Sequence, residues 1–218
     1  MTSAIFGREL RKGQFPHHDQ SLVRLNNGSF GACPKVVLEF QHKENCKWLA
    51  NPDDVWHLLK PKFDDVSLSV ARNILGDESL ADDVFMVDNL TAAFAVVAES
   101  LLSTIQDSNS VVIMSNFTYN AVCKAVYYTL DNVSSRFEDG GRVSVVVVDL
   151  PFPIITDDGS VADEAILDAY RSALQLVAAS GKRPVVAIID HISSLPCMVL
   201  PIQRIITLLR EHGVEEVS

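Results

Sequence analysis

The chain has 218 residues, of which 48% are apolar and 21% are charged, so the composition predicts a packed core and excludes a disordered chain. Its formal net charge of −10 argues against a surface for nucleic acid or for anionic membranes, because such surfaces need clustered lysine and arginine. No stretch is long and apolar enough to span a bilayer. We therefore expect neither a nucleic-acid partner nor a membrane.

The amino-terminal residues and the cysteines bear on location and metal binding. The segment MTSAIFGRELRKGQFPHH contains no hydrophobic stretch of the kind found in secretory signals. The four cysteines form no Cys-x-x-Cys pair, which indicates reduced thiols rather than a disulfide framework or a zinc site. We expect a cytoplasmic protein, with an organelle still open, and no metal site.

The first eighty residues are predicted to be mostly helical, with irregular parts. LNNGSFGACP (25–34) is predicted to be a turn, because Gly28 and Gly31 allow backbone angles that other residues avoid. A helix is predicted from about Lys35 to Ala50, and NPDD (51–54) marks a break. A helical pattern then continues to about Leu75, where Gly76 ends it. We treat residues 1–80 as an N-terminal helical and loop segment and residues 81–218 as the second domain.

Short apolar runs and helical patterns alternate after residue 84. The predicted strands are VFMVD (84–88), VVIMS (111–115), RVSVVVVDL (142–150) and VVAIID (185–190). The predicted helices cover 91–105, 119–133, 163–180 and 200–212. The strand at 142–150 is expected to be buried on both faces. Near-continuous Val and Ile runs that alternate with helices predict an α/β fold, a mainly parallel sheet covered by helices on both faces.

Ligands of open parallel sheets bind beyond the carboxyl ends of the strands. The residues that follow the predicted strands are 88–91, 115–119, 149–151 and 190–194. For DNLTAA (88–93), ordinary capping of a helix is favoured over a phosphate site from this stretch alone, although a helix N-terminus offers free N–H groups to either. Tyr119 is either a rim residue or a ring that stacks on a flat heteroaromatic ligand.

Asp190 and His191 end an apolar strand. A carboxylate at a buried strand end must be paired or hydrogen-bonded. Asp190 therefore pairs with His191 or with helix amides in the next turn, or it contacts the polar edge of a cofactor. These alternatives are equally favoured. Ser193 and Ser194 form a turn that could direct a hydroxyl into the same cleft. The loop NNGSFG (26–31) is either a simple turn or a source of backbone N–H groups for a substrate carboxylate.

Four motifs occur in order along the chain: LNNGSFGACP (25–34), DNLTAA (88–93), DLPFPI (149–154) and IIDHISSLPCMVLPI (188–202). Together they resemble the pyridoxal-phosphate enzymes of the class V aminotransferase family, in the branch of plant L-cysteine desulfhydrases and isopenicillin N epimerase-like proteins. The resemblance covers nearly the whole chain. It implies part of the major domain of a fold type I transferase, pyridoxal 5'-phosphate as cofactor, a small amino acid as substrate, and a homodimer.

The resemblance also implies roles for particular residues. Thr91 would bind the cofactor phosphate, with the Ala92 amide beside it, and Tyr119 would stack on the pyridine ring. The group that would lie beside the cofactor is Asp190, His191 and Ser194, with Ser194 near the ring hydroxyl. The loop that would approach the substrate contains Asn27, Gly28 and Ser29.

The resemblance bears on catalysis as well. After the segment that matches REHGVEEV (210–217), the family continues into a strand whose aspartate pairs with the pyridinium nitrogen, and then to the Schiff-base lysine. None of the eight lysines of this sequence lies at the matching place, so we expect a fragment without catalytic residues of its own. The full-length reaction would remove sulfide from L-cysteine and give pyruvate and ammonia. Two alternatives stay open: a non-catalytic protein that pairs with a full-length relative, and an epimerase-like or aminotransferase-like enzyme.

Overall fold

The computed structural model describes residues 6–152 and 162–217, and the chain divides into two compact units, Met1–Met86 and Val87–Ser218. The boundary expected after residue 80 falls shortly before this division. The last two residues of the DLPFPI motif, Pro153 and Ile154, lie outside the described residues.

The first unit is helical. Its α-helices are α1 Gly7–Gln14, α2 Asn27–Phe30, α3 Lys35–Ala50 and α4 Pro52–Val70, followed by a π-helix Ala71–Leu75 and a 3-10 helix Glu78–Asp83. The predictions of a helix at 35–50 and of a helical end at Gly76 are confirmed, and Gly76 takes a left-handed φ of 75°. The turn expected across 25–34 is instead the short helix α2, which Gly31 ends with a φ of 65°.

The described part of the first unit, from residue 6 onward, has no hydrophobic core of its own. Among its described residues only Ala71 is buried. The strand predicted at 84–88 does not form, and this prediction was wrong: the segment is irregular, and the Phe85 side chain is 84% exposed. A short apolar run becomes a strand only where a neighbouring strand accepts its backbone hydrogen bonds. No described strand pairs with this segment.

The second unit is built on a parallel sheet. Its strands are β1 Ser110–Ser115, β2 Ser144–Val148, β3 Arg183–Ala187 and β4 Glu216–Val217. Their order across the sheet is β2-β1-β3-β4, and every neighbouring pair is parallel. Its helices are α5 Leu90–Leu102, α6 Asn120–Ser134, α7 Asp163–Ala179 and α8 Ile202–Glu211. The predicted α/β class, with a parallel sheet and helices, is confirmed.

Helices cover both faces of the sheet because β1 is apolar on both. On one face, Val111 and Ile113 of β1 pack in a cluster with buried residues of α7 and α8. On the other face, Val112 and Met114 pack in a cluster with buried residues of α5 and α6. All four β1 side chains are at most 1% exposed, which makes β1 the centre of the core. Within the described ranges, no helix combines the length and the apolar character that crossing a membrane requires.

Two details of the predicted strands differ from the structure. β2 is an edge strand of the described sheet and its Val147 side chain is exposed, so the expectation that it is buried on both faces was wrong. The run of Val residues does not encode the position of a strand within its sheet. β3 ends at Ala187 rather than at Asp190, although the Ile188 N–H still donates to the Ile113 carbonyl at 2.9 Å.

Candidate functional site

The direction of the chain reverses between β1 and β3. From β1 the chain passes through α6 to β2 on one side, and from β2 it passes through α7 to β3 on the other side of β1. In open α/β sheets, such a reversal opens a crevice at the carboxyl ends of the two diverging strands, and ligands bind there. The segments that follow β1 and β3 therefore form the candidate site, and we call this region the carboxyl edge.

Asp190 and Tyr119 meet at the carboxyl edge. The Tyr119 N–H, at the start of α6, donates a hydrogen bond of 3.3 Å to Oδ2 of Asp190. The donor to Asp190 is thus an amide 71 residues away at the start of α6, and not an amide in the next turn of the chain, which the first alternative named. Burial raises the pKa of the Asp190 carboxyl, and the Tyr119 hydrogen bond opposes this rise only in part. The charge of Asp190 also helps to raise the pKa of the Cys123 thiol, for which burial is the larger cause.

Two buried hydroxyls shape the turn between β1 and α6. The Ser115 N–H donates to Oγ1 of Thr118 at 3.1 Å, and the Thr118 N–H donates to the Ser115 carbonyl at 3.1 Å. The Phe117 N–H donates to the Ser115 hydroxyl at 3.2 Å. Because these polar groups satisfy one another, the chain can turn sharply out of a buried strand and present Tyr119 at the edge.

Asn116 joins the ends of β1 and β2. Its Nδ2 donates to Oδ1 of Asp149 at 2.7 Å and to the Leu150 carbonyl at 3.3 Å. Its Oδ1 accepts from the Leu150 N–H at 3.2 Å. We call these three bonds the Asn116 clasp. It fixes the loop after β2 to the loop after β1.

The start of α5 contains Thr91 and Ala92. The side chain of Asn89 caps this helix, and its Oδ1 accepts from the Ala92 N–H at 2.9 Å. The capping alternative thus accounts for the Ala92 amide. Thr91 is exposed in the first turn, which contains no acidic residue. Because α5 leads down to the start of β1 and packs beside α6, its N-terminus lies toward the carboxyl edge.

The remaining predicted residues of the second unit lie in the loop after β3. The His191 carbonyl accepts from the Leu200 N–H at 2.9 Å, and the Ser193 N–H donates to the Met198 carbonyl at 2.9 Å, which folds 191–200 into a small hairpin. The His191 and Ser194 side chains are exposed. Ser193, which was also expected to direct its hydroxyl into the cleft, is buried and donates to the Pro196 carbonyl within the hairpin. That expectation was wrong for Ser193, because the turn uses its hydroxyl.

The predicted substrate loop belongs to the other unit. Asn27, Gly28 and Ser29 lie in α2, and all three are exposed. The structure therefore brings Asp190 and Tyr119 into contact within the second unit, whereas Asn27, Gly28 and Ser29 belong to the first unit.

Sequence reasoning missed one residue of the second unit, Tyr170 of α7. It is 1% exposed, and its buried hydroxyl is without a hydrogen-bond partner among the described residues. Burial raises the pKa of this hydroxyl, and the charge of Asp190 adds to the effect. In the sequence, Tyr170 is only one of several large residues on the apolar face of a helix, so no local pattern marks it.

Comparison with known proteins finds plant L-cysteine desulfhydrases that are similar to nearly the whole chain. The chain is 36% identical over 213 residues to the probable chloroplastic L-cysteine desulfhydrase of Arabidopsis thaliana, an alignment that covers 94% of this chain and 41% of that protein. It is 32% identical to putative L-cysteine desulfhydrase 1 of Oryza sativa subsp. japonica, over 99% of this chain and 42% of that protein. No protein-family model matches the chain.

A solved structure shares the fold. A C-DES mutant with glycine covalently linked to its PLP cofactor superimposes with a TM-score of 0.64 at 16% identity, over 94% of this chain and 47% of that chain. This likeness confirms the predicted fold. The predicted resemblance is confirmed by the plant relatives, of whose length the chain spans about two fifths. Nearly the whole chain is thus similar to part of the plant L-cysteine desulfhydrases.

Proposed function

We propose that the chain binds pyridoxal 5'-phosphate at the carboxyl edge and contributes this part of the site of an L-cysteine desulfhydrase. The observation that carries the proposal is the partly buried carboxylate of Asp190, which accepts a hydrogen bond from the N–H of Tyr119 at the carboxyl edge. The family relationship supports the choice of reaction, which removes sulfide from L-cysteine and leaves pyruvate and ammonia.

The donors and acceptors of the carboxyl edge fit this cofactor. The amides in the first turn of a helix and the partial positive charge there suit a phosphate, and the exposed Thr91 hydroxyl adds a donor. The half-exposed ring of Tyr119 offers a face for an aromatic ring. Asp190 offers a carboxylate oxygen to a polar edge of that ring. A phosphate, a flat ring and a polar ring edge are the three parts that pyridoxal phosphate presents.

Each of these residues would perform a separate task. Pyridoxal phosphate, when bound, supplies the electron sink for amino-acid chemistry at the α-carbon. Thr91 and the start of α5 would anchor the phosphate and so fix the position of the ring. Tyr119 would fix the tilt of the ring, and Asp190 would fix its rotation in its own plane. His191 and Ser194, exposed in the hairpin after β3, are proposed to border the same ring, and Asn27, Gly28 and Ser29 to approach the substrate.

Calorimetric titration with pyridoxamine 5'-phosphate tests the cofactor assignment. This compound has the phosphate and the ring but no aldehyde, so it does not react with surface lysines. We expect saturable binding of one molecule per chain. Thr91→Ala should weaken it about fivefold, the effect of one hydrogen bond, and Asp190→Asn about tenfold, the effect of one charged hydrogen bond.

Asp131→Asn is the matched control for this titration. Asp131 is an exposed carboxylate near the opposite end of α6 from Tyr119, where it pairs with Arg142 at 3.1 Å. This control should leave the affinity unchanged. Absence of saturable binding, or an equal loss in the control and in Asp190→Asn, would contradict the proposal.

The choice of reaction is tested with L-cysteine and pyridoxal phosphate together. In a protein that also carries the Schiff-base lysine, the proposal predicts sulfide and pyruvate in equal amounts. This chain alone, in which no lysine lies at the matching place, should release little of either, and normal turnover would contradict that expectation. Racemised cysteine, or a transaminated product without sulfide, would favour the epimerase-like or aminotransferase-like alternative.

We also propose that the protein acts as a homodimer, as the family resemblance implies. Three apolar side chains of the 191–200 hairpin, Ile192, Leu195 and Val199, are exposed beside the proposed site. A second copy that covered them would remove this apolar surface from water. Light scattering should give twice the chain mass, and Leu195→Asp should shift the population toward the monomer. A monomer at all concentrations would refute the dimer.

A further inference from the structure

The hydroxyl of Tyr170 is the least explained polar group of the second unit. Its side chain is 1% exposed, and the hydroxyl finds no hydrogen-bond partner among the described residues. A buried hydroxyl without a partner destabilises the folded state, because it loses its bonds to water and gains none. Phenylalanine would fill the same space without this cost. The presence of tyrosine here therefore calls for a reason other than packing.

The neighbours of Tyr170 lead to the end of β3. The ring packs in the cluster that contains Ala187 and Ile189, and Ile189 is the residue before Asp190. The loop residues Met198 and Leu200, which follow Asp190, belong to the same cluster. Burial raises the pKa of the Tyr170 hydroxyl, and the charge of Asp190 adds to this rise, in agreement with the shared cluster.

Asp190 has unused capacity to accept hydrogen bonds. An ionised carboxylate has two oxygens and accepts several donors. In the described part of the chain, Asp190 accepts one long hydrogen bond of 3.3 Å, at Oδ2. A buried donor without an acceptor and a partly buried acceptor with spare lone pairs thus lie in the same region of the second unit.

We propose that Tyr170 is a positioning residue whose hydroxyl donates a hydrogen bond to one buried water that in turn donates to Asp190, and so holds the carboxylate at the carboxyl edge. One water is a sufficient bridge, because buried waters bind polar groups that otherwise lack partners. The proposal rests on the proposed function, since it gives Tyr170 a task only if Asp190 binds the ligand. Tyr170 is inside the core and does not touch the ligand itself.

A double-mutant cycle on the unfolding equilibrium tests the bond without any cofactor. Tyr170→Phe should increase the unfolding equilibrium constant of the wild-type chain about fivefold, the effect of one hydrogen bond. In the Asp190→Ala background the same change should have no effect or should stabilise the chain. If Tyr170 only fills space, Tyr170→Phe will stabilise both backgrounds equally, and that result would overturn the proposal.

A matched control is Tyr128→Phe. Tyr128 lies on α6 and is 71% exposed, so this change should be neutral in both backgrounds. Coupling of Tyr128 to Asp190 as large as that of Tyr170 would overturn the proposal.

The pKa of Asp190, measured by carbon NMR of its carboxyl group, is a quantity that a purely packing role of Tyr170 would leave unchanged. The charge of Asp190 adds to the rise that burial causes in the pKa values of Cys123 and Tyr170, and the Tyr119 N–H donates to Asp190. Tyr170→Phe should raise the pKa of Asp190, because the charged form loses a donor. An unchanged pKa would overturn the proposal.

The two assays separate this inference from the proposed function. Coupling between Tyr170 and Asp190 without binding of pyridoxamine 5'-phosphate would refute the proposed function and leave the bond standing. Binding without coupling would refute the bond alone.

Discussion

Removal of the Asn116 clasp should loosen the carboxyl edge without disturbing the core. Asn116 is exposed, so Asn116→Ala leaves no cavity, and its effect reports the three side-chain bonds to Asp149 and Leu150. A typical intramolecular hydrogen bond contributes about 0.5–1.5 kcal/mol net. The bond to Asp149 is short at 2.7 Å, whereas the two to Leu150 are longer, at 3.3 and 3.2 Å, and all three compete with water.

The clasp therefore stabilises the second unit by about 1.5 kcal/mol, the sum of three bonds at the low end of the range. For a unit of this size the loss corresponds to a fall of about 5 °C in Tm. Calorimetric or circular-dichroism melting of the full chain measures it. Asn132→Ala is the control: Asn132 is exposed on α6, where alanine is the better helix former, so its Tm should hold or rise.

Asn116→Asp tests whether the stability loss comes from the hydrogen bonds of the clasp or from changing an exposed side chain. This change keeps the acceptor for the Leu150 N–H but places a second carboxylate where Nδ2 now contacts Oδ1 of Asp149 at 2.7 Å. At pH 7 we expect a loss at least as large as that of Asn116→Ala, and a smaller loss at about pH 3, where carboxyls take up protons. A wild-type Tm in Asn116→Ala, or a loss in Asn116→Asp that does not depend on pH, would refute the reasoning.

Three further predictions concern the core, a turn and the site. Ile113→Ala, at a side chain that is 1% exposed in the central strand, should cost about 3–4 kcal/mol in urea unfolding, and a loss below about 1 kcal/mol would contradict a core centred on β1. Gly181→Ala should cost about 1 kcal/mol because Gly181 has a φ of 70° with open space around it, so only backbone strain opposes the side chain; an unchanged stability would contradict this. Burial raises the pKa of Asp190 above its unfolded value, because it penalises the charged form. The neutral carboxyl group therefore contributes its full stability below the unfolded pKa, and this stability is lost as the pH rises through the folded pKa. Asp190→Asn should therefore unfold at higher urea than the wild type at pH 7 and at equal urea near pH 3, and a wild type that is the more stable at pH 7 would contradict the sign.

The sequence predicted those elements whose signals are local. The helix α7 follows from its apolar periodicity, and the helical end at Gly76 follows from a residue suited to a left-handed turn. The cap of α5 was also predictable from local sequence, because Asn89 and the Ala92 amide are three residues apart.

What the sequence could not predict depends on partners distant in the chain. The run at 84–88 has the composition of a strand, but whether it pairs depends on neighbours that the run does not encode. The Val run of β2 reads as buried on both faces, yet its edge position leaves Val147 exposed. The hydrogen bond from Tyr119 to Asp190 joins residues 71 positions apart, and the unpaired hydroxyl of Tyr170 is visible only in the packed structure.

The most direct test of the central claim is to map pyridoxamine 5'-phosphate onto the backbone amides by NMR. If the carboxyl edge is the ligand site, the largest shift changes will fall at 88–93, 116–120 and 190–194. The pocket lined by Arg8, Arg11 and Arg24 in the first unit is the alternative place for a phosphate compound. Shift changes confined to that pocket, with none at the ends of β1 and β3, would contradict the assignment of the site.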